Sequence, residues 1–176
     1  MSAIDMSRSF ININIAILTI SDSRTLKDDS SGDLLEERIK NFGHKIFDRQ
    51  IIADNMQIIK KTILSLSSNK LVNTIITTGG TGLTGRDSTP EAIKEIAEKT
   101  IDGFGELFRQ ISFSKIGTST IQSRALGALI KGTYVFALPG SRSACKDAWD
   151  NILKFQLDSR YQPCNFIEIM PRLQEV

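Results

Sequence analysis

A turn rich in glycine and threonine follows an apolar stretch in the middle of the chain. Residues 77–87 read Thr-Thr-Gly-Gly-Thr-Gly-Leu-Thr-Gly-Arg-Asp. Because glycine has no Cβ, backbone N–H groups in such a turn can converge on an anion. The turn lacks the Gly-Lys-Ser/Thr end of a P-loop and does not match the dinucleotide fingerprint G-x-G-x-x-G. We therefore interpret it as a candidate phosphate-binding turn of another kind, with an ordinary glycine-rich connection as the alternative.

Two aspartates, Asp54 and Asp87, follow predicted strand ends and are candidates for metal or acid–base chemistry. Mg²⁺ is commonly held by one or two carboxylates together with substrate phosphates, so this pair suits a magnesium nucleotide. Either aspartate could instead accept a proton from an attacking hydroxyl or phosphate. The structural alternatives are an N-cap for Asp54 and a turn residue ahead of Thr89-Pro90 for Asp87.

Other polar residues have weaker claims to a function. Arg86 and Arg109 could neutralise phosphate, although single arginines are more often solvated surface residues. Ser141 and Ser143 could contact phosphate or cap the last helix.

The histidine and cysteine content argues against several kinds of site. His44 is the only histidine, and its position between a predicted helix and strand suggests a surface turn residue. Cys145 and Cys164 stand too far apart for a C-x-x-C metal or redox motif and indicate reduced thiols.

Alternating strand and helix patterns predict an α/β fold: a three-layer α/β/α sandwich with a mostly parallel sheet. The predicted strands are 12–20, 45–52, 71–77 and 133–138. The predicted helices are 31–42 with a serine cap at 30 or 31, 55–66, 90–99, a further helix from 104, 118–131, and 143–160.

Ligands of parallel sheets bind beyond the carboxyl ends of the strands. Here those ends bring Ser21, Asp54, the glycine turn and Pro139-Gly140-Ser141 to one edge. Two of these segments are glycine turns that enter helices, where free N–H groups favour phosphate.

Charge and hydropathy exclude several classes of protein. Lys and Arg total 22 against 20 Asp and Glu, without clustering, so no nucleic-acid-binding surface is predicted. The first residues lack a signal-peptide apolar region, and apolar runs fall short of the ~18 residues of a membrane span. We expect a cytoplasmic protein with no membrane contact.

Its 176 residues, without a linker, predict one domain over 12–176 after an N-terminal extension, 1–11.

Several separated motifs resemble the MoaB/MogA family of molybdenum cofactor biosynthesis. They occur in order along the chain at residues 16–21, 77–90 (TTGGTGLTGRDSTP), 103–106, 117–125 and 138–141. The closing stretch, residues 144–166, is most similar to the MoaB branch. The match extends over nearly the whole chain from about residue 12 and implies the MogA-like molybdopterin-binding fold.

The resemblance implies a molybdopterin adenylyltransferase. Such an enzyme transfers AMP from ATP, with Mg²⁺, to the terminal phosphate of molybdopterin and releases pyrophosphate. Asp54 and Asp87 match the family's two functional aspartates. The matching pterin and phosphate contacts are Thr78, Gly79, Gly80, Thr81, Gly82, Gly105, Glu106, Pro139, Gly140 and Ser141.

The resemblance also implies a homo-trimer or hexamer and transient contact with other proteins of the pathway. Two further functions stay open at this point. One is a molybdopterin-binding or carrier protein without catalysis. The other is a CinA-type activity on a different nucleotide, which the absence of a second domain disfavours.

Overall fold

The computed structural model describes residues 3–175. Residues 1 and 2, which belong to the predicted extension, and residue 176 lie outside the described residues. The strands are β1 Ala3–Ile4, β2 Asn14–Ile20, β3 Lys45–Ile52, β4 Thr74–Thr78, β5 Lys99–Ile101, β6 Leu126–Ile130, β7 Thr133–Leu138 and β8 Tyr161–Gln162. The α-helices are α1 Ser30–Phe42, α2 Met56–Ser67, α3 Thr89–Ile96, α4 Asp102–Ile116, α5 Arg142–Ala148, α6 Lys154–Gln156 and α7 Phe166–Ile169.

Six strands form the central sheet in the order β3-β2-β4-β7-β6-β5. The four predicted strands, β2, β3, β4 and β7, are mutually parallel, which confirms the mostly parallel sheet. The apolar residues of β2, β4 and β7 are buried on both faces, as expected for parallel strands covered by helices, whereas β3 at the edge of the sheet is only half-buried. The carboxyl ends of all four strands therefore lie at one edge.

The helix predicted over 118–131 is wrong. A 3₁₀ helix, Gly117–Gln122, is followed by β6, which pairs antiparallel with β7 and β5. A short apolar run such as Leu126–Ile130 cannot be told from a buried helix by periodicity alone. Packing decides the outcome: the backbone of Gly127 lies so close to Phe104 and Phe136 that a Cβ there would be 3.2 Å from either side chain.

The helix caps differ from the predicted ones in a way that affects the site. Asp29, not Ser30 or Ser31, caps α1 by accepting from the Gly32 N–H. Asn55 caps α2 by accepting from the N–H groups of residues 57 and 58. Asp54 is therefore not an N-cap, and its carboxylate makes no capping hydrogen bond to α2.

Two helix ends are also corrected. Helix α3 ends at Ile96, and residues 99–101 extend as the edge strand β5. The last long helix begins at Arg142, and α5 continues through a π-helical segment, Trp149–Leu153, into α6, which ends at Gln156 and not near residue 160.

Two apolar layers cover the sheet and confirm the three-layer sandwich. On one face α1, α4 and α5 pack around Leu35, Phe108 and Trp149. On the other face α2 and α3 pack through Ile59 and Ile93. Within residues 3–175 no helix is long and apolar enough to cross a membrane.

The segment 3–11, which falls in the predicted extension, lies against the C-terminal part of the chain. Strand β1 pairs antiparallel with β8, and Ser159 Oγ donates to the Ser9 carbonyl at 2.8 Å. The Phe10 ring then packs 5.1 Å from the imidazole of His44, centroid to centroid.

The prediction of a surface position for His44 is wrong. Its side chain is only 4% exposed and packs among the rings of Phe10, Phe42 and Trp149. Its Nδ1 accepts from the Ile13 N–H at 3.3 Å. Local sequence places His44 in a turn, but the N-terminal segment folds over that turn and buries it.

The burial of His44 predicts a loss of stability in mild acid. Burial lowers the pKa of His44 from 6.5 to about 4, against the opposing effect of the nearby Asp158 carboxylate. Between these values the unfolded chain binds a proton that the folded chain does not, so stability falls as the pH falls from 6.5 to 4. We expect the free energy of unfolding to decrease by about 2 kcal/mol between pH 7 and pH 5 from this residue.

Urea unfolding of the wild type and of His44→Gln at both pH values measures this contribution. The variant is expected to be less stable at pH 7 but to lose less stability on acidification than the wild type. The same decrease in both proteins would show that His44 is not responsible.

Candidate active site

Two glycine turns meet at the carboxyl edge of the sheet, after β4 and after β7. The Gly79 N–H donates to the Leu138 carbonyl at 3.1 Å, and Thr78 Oγ1 donates to the Pro139 carbonyl at 3.1 Å. A Cβ on Gly140 would lie 3.3 Å from the Gly79 Cα. The turns therefore hold each other directly, backbone against backbone.

The first turn requires glycine at two successive positions. Gly79 has φ +104° and Gly80 has φ +62°, which side-chain-bearing residues rarely adopt. A Cβ on Gly79 would also approach the Ile20 carbonyl oxygen to well within 3.0 Å, closer than real Cβ atoms come. The glycines thus let the turn pass close to the end of β2.

Asp54 and Asp87 lie on this glycine turn, Asp54 against Gly80 and Asp87 against Gly82. A Cβ on Gly80 would be 3.1 Å from both carboxylate oxygens of Asp54, and one on Gly82 would be 2.7 Å from Asp87 Oδ2. The structure thus brings the two predicted aspartates to the same turn, although 33 residues separate them in sequence.

The Asp54 carboxylate has an oxygen available for a ligand. Its Oδ1 is buried and has no hydrogen-bond partner among residues 3–175, and the same holds for Thr89 Oγ1, which faces Gly80 from the start of α3. An unpaired buried carboxylate oxygen is costly unless a cation or donor completes it. Thr89 therefore joins the candidate site, although its sequence position predicted only a helix start.

The environments of the two aspartates push their pKa values apart. Burial raises the pKa of Asp54, and the neighbouring charge of Asp87 raises it further. Hydrogen bonds from Thr84 lower the pKa of Asp87: Thr84 Oγ1 donates to Oδ2 at 2.5 Å and the Thr84 N–H at 3.0 Å. Burial and a neighbouring negative charge disfavour the ionised form of a carboxyl group, whereas hydrogen bonds to its oxygens favour that form.

Arg124 holds the glycine turn in place and was not identified as a candidate from residue chemistry. Its guanidinium donates to the Thr81 carbonyl at 3.2 Å and to the Asp87 carbonyl at 2.9 Å, and pairs with Glu91. The signal in sequence was only the position of Arg124 within one of the family motifs.

The two arginines that were considered as phosphate ligands occupy other positions. Arg86 is 73% exposed and pairs with Asp22, while Arg109 donates to the Ala125 carbonyl at 3.4 Å.

Replacing Arg124 with methionine is expected to speed amide hydrogen exchange in residues 81–88 by about tenfold or more. The reason is that two charge-assisted hydrogen bonds to carbonyls of this turn are lost. Hydrogen–deuterium exchange followed by mass spectrometry measures the effect. Arg109→Met is the matched control and should leave exchange in this segment unchanged; unchanged exchange in the Arg124 variant would contradict the clamping role.

The remaining predicted site residues divide among three places. Ser21 Oγ accepts from the N–H groups of Ser23 and Arg24 and thus shapes its own turn. The Thr78 side chain is fully buried between the two glycine turns, so only its backbone is near the edge. Gly105 and Glu106 lie on α4 and line a recess next to Arg124.

A cavity of about 490 Å³ opens between the glycine turns and α4. Five predicted contact residues line it: Thr81, Gly82, Pro139, Gly140 and Ser141. Its remaining walls combine hydroxyl groups with apolar side chains and one pair of opposite charges, contributed by Phe108, Ser112, Lys115, Ile116, Ser119, Gln122, Ser123, Ser143, Ala144 and Asp147. Ser141 also caps α5, accepting from the Ala144 N–H at 3.2 Å.

Asp29, a buried carboxylate that was not predicted as a site residue, belongs to a hydrogen-bond network that reaches the second glycine turn. It accepts from Thr19 Oγ1 at 2.8 Å and from Arg49 Nη2 at 3.0 Å. Arg24 and Ser31, which flank it, both donate to the Gly140 carbonyl, at 3.1 Å and 2.9 Å. This network explains how the second turn is fixed without regular structure of its own.

Comparison with known proteins finds similar sequences over most of the chain. A family model described as "Probable molybdopterin binding domain" matches residues 16–159. Molybdenum cofactor biosynthesis protein B of Escherichia coli (strain K12) is 44% identical over 161 residues, which cover 92% of this chain and 95% of that protein. A probable molybdopterin adenylyltransferase of Methanocaldococcus jannaschii is 41% identical over 150 residues, covering 81% and 89% of the two chains.

Solved structures are similar along nearly the whole chain. A crystal structure of molybdenum cofactor biosynthesis protein B superposes with a TM-score of 0.86 at 36% identity, covering 96% of this chain and 100% of the other. The tungsten cofactor synthesizing protein MoaB from Pyrococcus furiosus superposes with a TM-score of 0.74 at 28% identity, with 93% and 98% coverage.

Proposed function

The chain belongs to the MoaB-like family of molybdopterin-binding proteins, and from this premise we propose that it is a molybdopterin adenylyltransferase of molybdenum cofactor biosynthesis. It transfers AMP from ATP to the terminal phosphate of molybdopterin and releases pyrophosphate. The observation that carries the proposal is the pair Asp54 and Asp87 on a glycine turn, with one Asp54 oxygen buried and unpaired among the described residues. The relative named a probable molybdopterin adenylyltransferase supports the reaction type.

The residues present fit Mg²⁺ that arrives with ATP. Asp54 and Asp87 offer hard oxygen ligands, and the unpaired Oδ1 of Asp54 is a position that a cation would complete. Among residues 3–175 no group of three or more His, Cys, Asp or Glu side chains could hold a metal. When bound, Mg²⁺ supplies neutralisation of the phosphate charge that develops during transfer.

The transfer itself requires positioning more than covalent chemistry. A molybdopterin phosphate oxygen attacks the α-phosphorus of ATP, and the bond from that phosphorus to the pyrophosphate oxygen breaks. The two glycine turns hold phosphate oxygens through the backbone N–H groups of Gly80, Thr81, Gly140 and Ser141, since the Gly79 N–H is bonded to Leu138 and Pro139 has none. Neither His44 nor Cys145 takes part: His44 is buried in the aromatic cluster, and burial raises the pKa of the Cys145 thiol to about 11.

Molybdopterin binds in the 490 Å³ cavity between the glycine turns and α4, with its phosphate toward Thr81, Gly82 and Ser141. Two features support this placement. The cavity has the mixed polar and apolar walls typical of small-molecule sites. Its phosphate-facing end also includes Thr81 and Gly82, which belong to the turn that Asp54 and Asp87 contact.

We also propose a cytoplasmic homo-trimer or hexamer that contacts other proteins of the pathway only transiently. Exposed apolar side chains on α4 and the following 3₁₀ helix support self-association: Phe113 is 58% exposed, Ile116 54% and Ile121 83%. Size-exclusion chromatography with light scattering tests the assembly; a monomer at micromolar concentration would contradict it.

The reaction is tested by incubating the purified protein with molybdopterin, ATP and Mg²⁺ and assaying adenylylated molybdopterin and pyrophosphate. Both products together support the proposal. Bound molybdopterin without products would identify a carrier protein, and no binding of molybdopterin would direct attention to other nucleotides.

A further inference from the structure

The far end of the cavity contains a buried carboxylate, Asp147, on the inner face of α5. Its side chain is 10% exposed and is the only acidic one among the cavity-lining residues. Its carboxylate accepts a hydrogen bond from Lys115 Nζ, and no other hydrogen bond to that carboxylate is found among residues 3–175. Its second oxygen is thus left for another donor.

The partner of Asp147 is a lysine that can move away. The Lys115 side chain, on α4, is 52% exposed, lines the cavity and makes no second ion pair within the described residues. An ammonium on a flexible stem holds a carboxylate as a point charge, without the fixed geometry of a bidentate arginine. A ligand that offers two N–H donors in one plane can therefore satisfy Asp147 better than Lys115 does.

We infer that Asp147 is the residue that selects a pterin ring, by accepting from its N3–H and 2-amino groups. This inference rests on the proposed function, which places molybdopterin in the cavity. The 2-amino-4-oxopyrimidine edge of a pterin presents two parallel N–H donors that match the two oxygens of one carboxylate. Lys115 caps the carboxylate in the empty cavity and gives way, or stays on one oxygen, when the ring enters.

The distance from Ser141 to Asp147 along α5 agrees with a pterin that has its phosphate at the glycine turns and its ring edge at Asp147. Ser141, proposed to lie at the phosphate end, caps α5, and Asp147 follows six residues later in sequence. Six residues of α-helix rise about 9 Å, which places the carboxylate at the far end of a ring system whose phosphate is held at the glycine turns. Phe108, Ile116 and Ala144 contribute apolar wall between these two ends, as a flat heterocycle requires.

Two stable fluorescent ligands test the inference directly. They are 6-hydroxymethylpterin phosphate and its 2-oxo analogue, 6-hydroxymethyllumazine phosphate, titrated by fluorescence against the wild type. The lumazine presents a carbonyl where the pterin has an amino group, so it loses one hydrogen bond and faces Asp147 with an acceptor. We expect the wild type to bind the pterin at least about tenfold more tightly.

The variants assign this preference to a side chain. In Asp147→Asn the pterin-over-lumazine preference should disappear, while in Lys115→Met it should persist. Asp150→Asn is the matched control, because Asp150 pairs with Arg38 outside the cavity, and it should keep the wild-type preference.

The outcomes separate this inference from the proposed function. Equal binding of both ligands by the wild type overturns the role of Asp147 and leaves pterin binding intact, and this comparison does not depend on any variant folding. A preference that is lost in Lys115→Met but kept in Asp147→Asn also overturns it, in favour of Lys115 as the selecting residue. Failure of the wild type to bind either ligand overturns both the inference and the proposed site.

Discussion

Replacing either Asp54 or Asp87 with asparagine is expected to reduce AMP transfer by about hundredfold or more, with the protein still folded and still binding pterin. Each substitution removes a charge that would hold Mg²⁺ at the triphosphate but keeps nearly the same side-chain volume. Asn55 caps α2, so loss of the Asp54 charge does not remove a helix cap. Initial rates with saturating Mg-ATP, together with thermal unfolding and pterin titration, measure all three quantities.

Asp22 provides the matched control. Its carboxylate also lies at this edge, where it accepts from the Asp54 N–H at 3.2 Å and pairs with exposed Arg86. Asp22→Asn should cost much less activity than either main variant. Full transfer rates in both Asp54→Asn and Asp87→Asn would show that neither aspartate holds the metal.

The coupling between the two aspartates can be observed without substrate. Because the charge of Asp87 contributes to the raised pKa of Asp54, Asp87→Asn should lower the pKa of Asp54. Carbon-detected NMR titration of the Asp54 carboxyl group measures this change. An unaltered titration would mean that the two side chains are farther apart in solution than the glycine turn holds them here.

The second large effect is expected at Gly79. Alanine there is expected to lower the free energy of unfolding by about 3 kcal/mol or more, because the new Cβ meets the Ile20 carbonyl and the backbone has φ +104°. Neither the steric clash nor the backbone strain can be relieved by a small shift, since the clashing atom is a backbone oxygen at the end of a buried central strand. For a domain of this size the loss corresponds to a decrease in melting temperature of roughly 6–12 °C.

Gly85, in the same loop, is the matched control for this substitution. Its φ is not positive, and a Cβ there would meet no atom within 4 Å. Gly85→Ala should therefore leave the melting temperature within about 2 °C of the wild type. Similar losses in both variants would mean that the loop as a whole, and not the close approach at Gly79, limits stability.

Most of the sheet and the edge that holds the candidate site could be predicted from the sequence. Apolar runs marked strands β2, β4 and β7, and glycine after Phe42 marked the end of α1, where Gly43 adopts φ +104°. These signals are local: a residue's conformational freedom and its immediate neighbours suffice to produce them. The glycine turn and its two aspartates were identified for the same reason, since strand ends in a parallel sheet must meet at one edge.

The incorrect predictions share a different cause. His44 was misassigned because the N-terminal segment covers it with Phe10. Strand β6 was misassigned because its conformation depends on pairing with β5 and β7 and on the packing of Phe104 and Phe136 around Gly127. Local patterns do not record which distant segment will supply a neighbour. Burial of a turn histidine and the choice between strand and helix for a short apolar run both depend on that neighbour.

The chemistry of the site divides in the same way. Amino-acid type and spacing alone predicted a candidate phosphate-binding turn with two carboxylates at the sheet edge. The tertiary structure leaves Asp54 Oδ1 without a hydrogen-bond partner among residues 3–175. It also places the Arg124 guanidinium within hydrogen-bond distance of two carbonyls of the turn, and Lys115 Nζ within hydrogen-bond distance of Asp147. The contacts of Arg124 and Lys115 join residues that are 32 or more positions apart, and Asp54 faces Gly80 across 26 positions. Such contacts form only when the layers pack together, so no pattern of neighbouring residues predicts them.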